Sequence, residues 1–357
     1  MATLKTAQPA RHPNPTTKAQ RLAYLIFEGP DLEKTERFLQ SFGLVTGDHI
    51  DNAIYMRGAN ELPFCYMVKH ANKDKFLGFA FEMASKDDLI TLSRIPGSSG
   101  IEPLTTPGGG DVVRLRCPSG FLVEAVYGQQ PYSKIEQREA LTMNNAGSPE
   151  RINSTQRPPI EPPQITKLGH VVIEAPKYQQ TSEWYTKHFG LIPSDVQVLP
   201  DGSPMVAFFR LDLGDIPADH HTLAMGQGFS CQYNHSAFEV MDQDALGMGQ
   251  RVLREKGYSH AWGIGRHVLG SQIFDYWDDP RGYKHEHYCD GDLFTSDIPT
   301  GVTYASKESL SQWGAPVPSS FVKPKVNAKI IMDLVKNLMR SPDLTIGKLL
   351  TMARTML

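Results

Sequence analysis

Hydrophobic and polar positions recur along this chain in a pattern that the second half repeats. Leu22-Ala23-Tyr24-Leu25-Ile26-Phe27-Glu28-Gly29-Pro30 and Leu168-Gly169-His170-Val171-Val172-Ile173-Glu174-Ala175-Pro176 are matching apolar runs, each halted by proline, and each predicts a strand. Behind each run come positions at helical spacing: Thr35, Phe38 and Leu39 in one copy, Trp184, Tyr185 and His188 in the other. Both helical stretches end in Phe-Gly-Leu, at Phe42-Gly43-Leu44 and Phe189-Gly190-Leu191, with glycine as the stop. Further on, Phe79-Ala80-Phe81-Glu82-Met83 matches Ser236-Ala237-Phe238-Glu239-Val240, each ahead of a helix opened by aspartate (Asp87-Asp88; Asp242 and Asp244). Pro118 to Glu124 likewise matches Pro280 to Glu286. The pattern predicts an α+β fold of four βαβββ-like units, paired in tandem as two open barrel-like domains.

Asn144 to Thr166 separates the copies, and Arg157-Pro158-Pro159-Ile160-Glu161-Pro162-Pro163 makes it a semi-rigid, extended linker. The expected boundaries are a disordered arm over 1–19, a first domain over 20–140, a linker over 141–165, a second domain over 166–295 and a loop and helical tail over 296–357. In the tail, Ile330, Ile331, Leu334, Val335 and Leu338 recur at helical spacing. Ser341-Pro342 then breaks the helix, and Ile346, Leu349, Leu350 and Met352 suggest another. Such stripes read as packing surface.

A length of 357 residues suits two domains. The net charge of −3, with lysine and arginine dispersed, offers no basic stripe for nucleic acid. Cys65, Cys117, Cys231 and Cys289 show no CxxC spacing, so neither a disulfide framework nor a thiolate zinc site is indicated. Met1 to Lys18 lacks the apolar core of a secretory signal, and no run reaches the ~20 apolar residues of a membrane span. A cytoplasmic protein with no membrane partner is expected.

The chemistry concentrates late in the chain. Asp279-Pro280-Arg281-Gly282 is a tight turn, and the run after it places Glu286 in a strand on the face shared by Lys284 and Tyr288. A carboxylate among rings is poorly solvated unless it is paired or bound to metal. In the second half His170 stands in the first strand and His235 opens the third unit, whereas the first half carries Tyr24, roughly Gly78, and Glu124 at those positions. Any one of these histidines alone is more often structural than a ligand. Two imidazoles and one carboxylate kept in one copy only suggest a single site there, of the facial-triad type associated with non-haem Fe(II) oxygenases.

The run Gly265-Arg266-His267 through Tyr276, Asp279-Pro280-Arg281-Gly282 and Glu286 is close to the signature of the type I extradiol (meta-cleaving) catechol dioxygenases of the vicinal-oxygen-chelate (glyoxalase/bleomycin resistance/dioxygenase) superfamily. Leu168-Gly169-His170, Asp219-His220-His221-Thr222-Leu223-Ala224 and Trp313-Gly314 support the resemblance, which spans about Gln20 to Val322. One departure is Asp275, where the family usually has an apolar residue. The resemblance implies a metal-free first domain and a catalytic second one. It implies His170, His235 and Glu286 as ligands of Fe(II), His221 as acid–base, His267 as a hydrogen-bond partner of substrate, and Tyr276 as a donor beside a substrate oxygen. His220, in a strand, would face away from His221. The implied reaction inserts O2 into a substituted catechol to give a 2-hydroxymuconic semialdehyde-type product, and a homo-oligomer is expected. Alternatives on the same fold are a metal-dependent isomerase or lyase, or a keto-acid oxygenase; a non-catalytic binding protein is the alternative from another class.

Overall fold

The computed structural model describes residues 4–322 and 328–356, and it contains the four units in order. The first runs β1 (Ala19–Gly29), α1 (Leu32–Phe42), β2 (Val45–Ile50), β3 (Ala53–Arg57) and β4 (Tyr66–His70). The second runs β5 (Lys75–Met83), α2 (Lys86–Leu92), β6 (Glu102–Pro103), β7 (Asp111–Arg116) and β8 (Leu122–Tyr127). The third is β9 (Ile165–Ala175), α3 (Tyr178–Phe189), β10 (Ile192–Val198), β11 (Pro204–Arg210), a short β12 (Ala218–Asp219) and β13 (Leu223–Gln227). The fourth is β14 (Gln232–Val240), α4 (Gln243–Glu255), β15 (Ser259–Arg266), β16 (Ile273–Asp278) and β17 (Lys284–Cys289). Then come β18 (Leu293–Phe294), β19 (Gly301–Tyr304), β20 (Trp313–Gly314), α5 (Ser319–Val322), α6 (Ala328–Arg340) and α7 (Ile346–Met356). Asp31 caps α1 by accepting from the Lys34 amide, and Gly43 and Gly190 end α1 and α3 in the left-handed conformation that glycine adopts without strain.

The first two units form an eight-stranded sheet, β2-β3-β4-β1-β5-β8-β7-β6. The last two form most of a ten-stranded sheet, β19-β10-β11-β13-β9-β14-β17-β16-β15-β20. One apolar core joins the halves: the Phe42 ring lies 3.8 Å from that of His287, and His287 Nε2–H donates to the Phe42 carbonyl at 2.7 Å. Arg281 adds a second tie, donating to Tyr66 Oη at 2.7 Å while its guanidinium lies 5.0 Å from the Phe27 ring centre.

Three sequence expectations change. His235 lies in β14, which opens the fourth unit rather than the third, because three units, two in the first half and one in the second, precede it. The arm expected to be disordered instead lies along the second half from residue 4 onward. Gln8 exchanges hydrogen bonds with Ser182 (2.5 Å) and Tyr178 (2.7 Å), and Arg11 pairs with Asp212 at 2.9 Å. Met1–Thr3 lie outside the described residues. The stretch expected as loop ahead of the tail helices supplies two strands to the large sheet, β19 beside β10 and β20 beside β15, so backbone groups there find ladder partners.

Candidate metal centre

β9, β14 and β17 are neighbours in the large sheet, and their register assembles the site. Ala237 of β14 pairs with His170 of β9 and with Glu286 of β17, so the three side chains share a face. His235 stands two residues along β14 on the same face, in unbroken register with Ala237. The methyl of Ala237 leaves room above the sheet for the longer side chains to meet. His170 Nε2 lies 3.2 Å and His235 Nε2 3.4 Å from Glu286 Oε2, and His267 Nε2 lies 3.6 Å from Oε1. One ligand atom from each of His170, His235 and Glu286 falls within 4.8 Å of the others.

Glu286 is fully buried, yet neither carboxylate oxygen has a hydrogen-bond partner, and His170 Nδ1 also lacks one. A buried carboxylate left in that state costs far more than a paired one. Burial alone would raise its pKa; the close imidazoles, His170 first, outweigh burial and hold the carboxyl well below the usual range. Burial pulls the His235 imidazole down to about 4, so it is neutral and carries a lone pair. Two imidazoles and an otherwise unsatisfied carboxylate fit a divalent cation.

The first half shows the same backbone register without those donors. Ala80 of β5 pairs with Tyr24 and with Glu124, but the Glu124 carboxylate accepts from Tyr24 Oη at 2.6 Å and from Arg114 Nε at 2.9 Å. That acid is satisfied within the protein and leaves nothing for an ion.

The remaining expected residues line the same cavity. His267 Nδ1–H donates to the Leu310 carbonyl at 2.7 Å, which leaves Nε2 to accept from Tyr276 O–H at 2.8 Å. His221 stacks obliquely on His170, ring centres 4.0 Å apart; burial, then His170 and His220, lower its pKa well below the ordinary value.

His220 and His221 are not in a strand; they follow β12 and precede β13, so strand alternation does not separate them. Their Nδ1 atoms lie 3.0 Å apart, and His220 Nε2 lies 2.8 Å from Asp195 Oδ2. A carboxylate only accepts, so His220 Nε2 carries the proton, its Nδ1 accepts, and His221 donates from Nδ1.

Sequence reasoning missed Asp195, which sits on β10 with no motif around it. It also missed Asn234, whose Oδ1 accepts from His235 Nδ1–H at 2.8 Å while its Nδ2 donates to Glu174 at 3.0 Å. Its adjacency to His235 was the available signal. Asp275 turns to the other face of the sheet, where it accepts from His260 Nε2 (2.7 Å), Gln250 Nε2 (3.1 Å) and Trp277 Nε1 (2.7 Å). It forms no part of the cavity wall, so this departure leaves the Tyr276 face untouched.

The Glyoxalase/Bleomycin resistance protein/Dioxygenase superfamily model matches residues 167–286, which span all three candidate ligands. The chain is 28% identical over 329 residues to metapyrocatechase 2 of Cupriavidus necator, covering 90% of this chain and 97% of that protein. Its fold superposes with a TM-score of 0.72 on the Mn(II)-bound glyoxalase of Novosphingobium aromaticivorans, at 21% identity over 87% of this chain and 97% of that one. It superposes equally, at 0.72, on homoprotocatechuate 2,3-dioxygenase of Brevibacterium fuscum in its anaerobic complex with 3,4-dihydroxyphenylacetate, at 19% identity over 87% of this chain and 93% of that one. With the paired βαβββ units and the three-strand register behind them, residues 167–286 carry the likeness to the glyoxalase/bleomycin resistance protein/dioxygenase superfamily, and the chain as a whole shares the fold of these two structures.

Proposed function

We propose that this protein is an extradiol catechol dioxygenase that holds Fe(II) with His170, His235 and Glu286 and opens a substituted catechol to a 2-hydroxymuconic semialdehyde-type product. The observation that carries this reading is the fully buried, hydrogen-bond-deficient Glu286 carboxylate facing His170 and His235, at one end of a cavity that also holds His221, His267 and Tyr276. Kinship to metapyrocatechase 2 points the same way.

Iron bound there supplies Lewis acidity toward the two vicinal oxygens of a catechol and a path for electrons from ring to O2. The chain does the rest. Because its Nδ1 is held by His220, His221 has Nε2 available to exchange a proton with a substrate oxygen, and its neutral state suits it to act first as a base. The Tyr276–His267 pair, anchored on the Leu310 carbonyl, can turn toward the substrate and donate to an oxygen on the opposite side. Apolar walls at Val172, Phe208 and Ala224 exclude water around these groups.

The likeness to a manganese glyoxalase keeps a metal-dependent isomerase or lyase as the competing reading. The test separates them. Anaerobically purified protein loaded with Fe(II) is expected to turn a catechol yellow with stoichiometric O2 uptake. Activity restored by Zn(II) with no O2 consumed overturns the dioxygenase reading.

A further inference from the structure

We propose that the substrate is a catechol bearing a bulky, uncharged hydrocarbon substituent, and that Gly226 makes the space for it; this rests on the extradiol reading above. The cavity over the candidate ligands has a volume of about 1160 Å³. Pockets for drug-sized ligands run to roughly 300–1,000 Å³, so a single unsubstituted ring would leave most of this one filled with water. Its polar groups for the diol gather at one end, at His221, His267 and Tyr276. Apolar side chains share the wall: Phe208 and Phe321 lie beside these groups, ring centres 5.1 Å from His221 and 4.9 Å from Tyr276, and Val206, Ala224, Phe229 and Met352 line it as well.

Charge on the wall does not favour an anionic substituent. Three cations, Lys75, Arg116 and Lys284, are matched by three acids, Asp74, Glu174 and Asp333. Lys284 lies over the Phe321 ring at 5.6 Å and 3.8 Å from Asp278, and Arg116 donates to the Gly120 carbonyl at 3.3 Å. Glu174, which lies on the same strand as His170, would repel a carboxylate whenever ionised.

Gly226 is the second observation. It lies within β13, paired with Glu174 on one side and Val206 on the other, where a glycine weakens a strand and can mark close approach of a ligand. A Cβ there would meet nothing nearer than the Met205 carbonyl at 3.9 Å. Gly169, also inside a strand, has a packing reason, because a Cβ would fall 2.0 Å from Tyr288 Oη. Gly226 has no such neighbour; what its missing side chain leaves open is cavity.

The experiment uses the full chain loaded with Fe(II). Catechol, 3- and 4-phenylcatechol and 3,4-dihydroxyphenylacetate are compared by O2 uptake, and their binding is measured by anaerobic calorimetry, which reads affinity without turnover. One phenylcatechol is expected to exceed both catechol and the carboxylated compound in kcat/KM by at least about tenfold, the scale on which apolar pockets discriminate. Gly226→Leu is expected to weaken anaerobic binding of that phenylcatechol about tenfold and to lower its kcat/KM relative to catechol by a similar factor. Gly226→Ala, whose methyl makes only ordinary contacts, serves if the leucine variant does not fold, and should shift the ratio the same way by less. Preference for the carboxylated compound, equal rates across the panel, or unchanged ratios in the Gly226 variants overturn the proposal. Tight, Gly226-dependent binding of phenylcatechol with no O2 uptake supports the hydrocarbon pocket while rejecting ring cleavage.

Discussion

Replacing His220 by phenylalanine tests how the protein prepares His221. The ring site is already lined by Phe208 and Phe294, with centres 5.7 and 5.4 Å from that of His220, so an aromatic hydrocarbon fits the surroundings. What disappears is the buried acceptor for His221 Nδ1–H and the link to Asp195. Leaving a buried donor unsatisfied costs about 1–3 kcal/mol. If that penalty falls on the tautomer with Nε2 free, the productive population drops by about five- to 150-fold, at roughly 1.36 kcal/mol per tenfold. We expect kcat for catechol cleavage to fall in that range, with iron content unchanged, because His220 is not among the candidate ligands. His220→Gln, whose amide can donate to Asp195 and accept from His221, should recover most of the loss. Nitrogen-15 spectra of the metal-free protein should show His221 protonated on Nδ1 in the parent and mixed in the phenylalanine variant. Wild-type kcat together with an unchanged tautomer in His220→Phe would refute the reasoning.

Three further outcomes follow from the geometry. Glu286→Gln keeps the size but removes the charge opposite two imidazoles, so bound divalent metal should fall at least about tenfold; metal analysis showing full occupancy takes Glu286 out of the site. Arg281→Met strands Asp279, whose carboxyl the His285 and Arg281 side chains hold down at about 2 despite burial, and should cost about 3–5 kcal/mol in urea unfolding. A loss under 1 kcal/mol would show that the Arg281 link between the halves matters little. His188, pulled down to about 4 by burial and Lys187, binds a proton more readily unfolded than folded. Its contribution is therefore full above about pH 6.5 and lost as pH falls from there toward 4. His188→Gln should flatten the stability–pH curve in that window, and an unchanged slope there speaks against this assignment.

The sequence by itself determined the local pieces. Periodicity, proline and glycine stops and aspartate caps are interactions between near neighbours, and so β1 and β9, α1 and α3, and the turn before Glu286 are readable from composition and spacing. The internal repeat extended this to the four-unit plan, and the contrast between Tyr24 and His170 at equal places marked which copy differs. Tertiary structure decided what depends on register and on distant partners. Only the alignment of β9, β14 and β17 brings His170, His235 and Glu286 onto Ala237, and only the packed sheet shows Glu124 saturated while Glu286 is not. The side on which Asp275 lies, the turn that points His220 at His221, the grip of residues 4–18 on α3 and the room left at Gly226 share one physical origin. Each is set by atoms tens to hundreds of residues away, and side-chain spacing along a single chain carries no record of them.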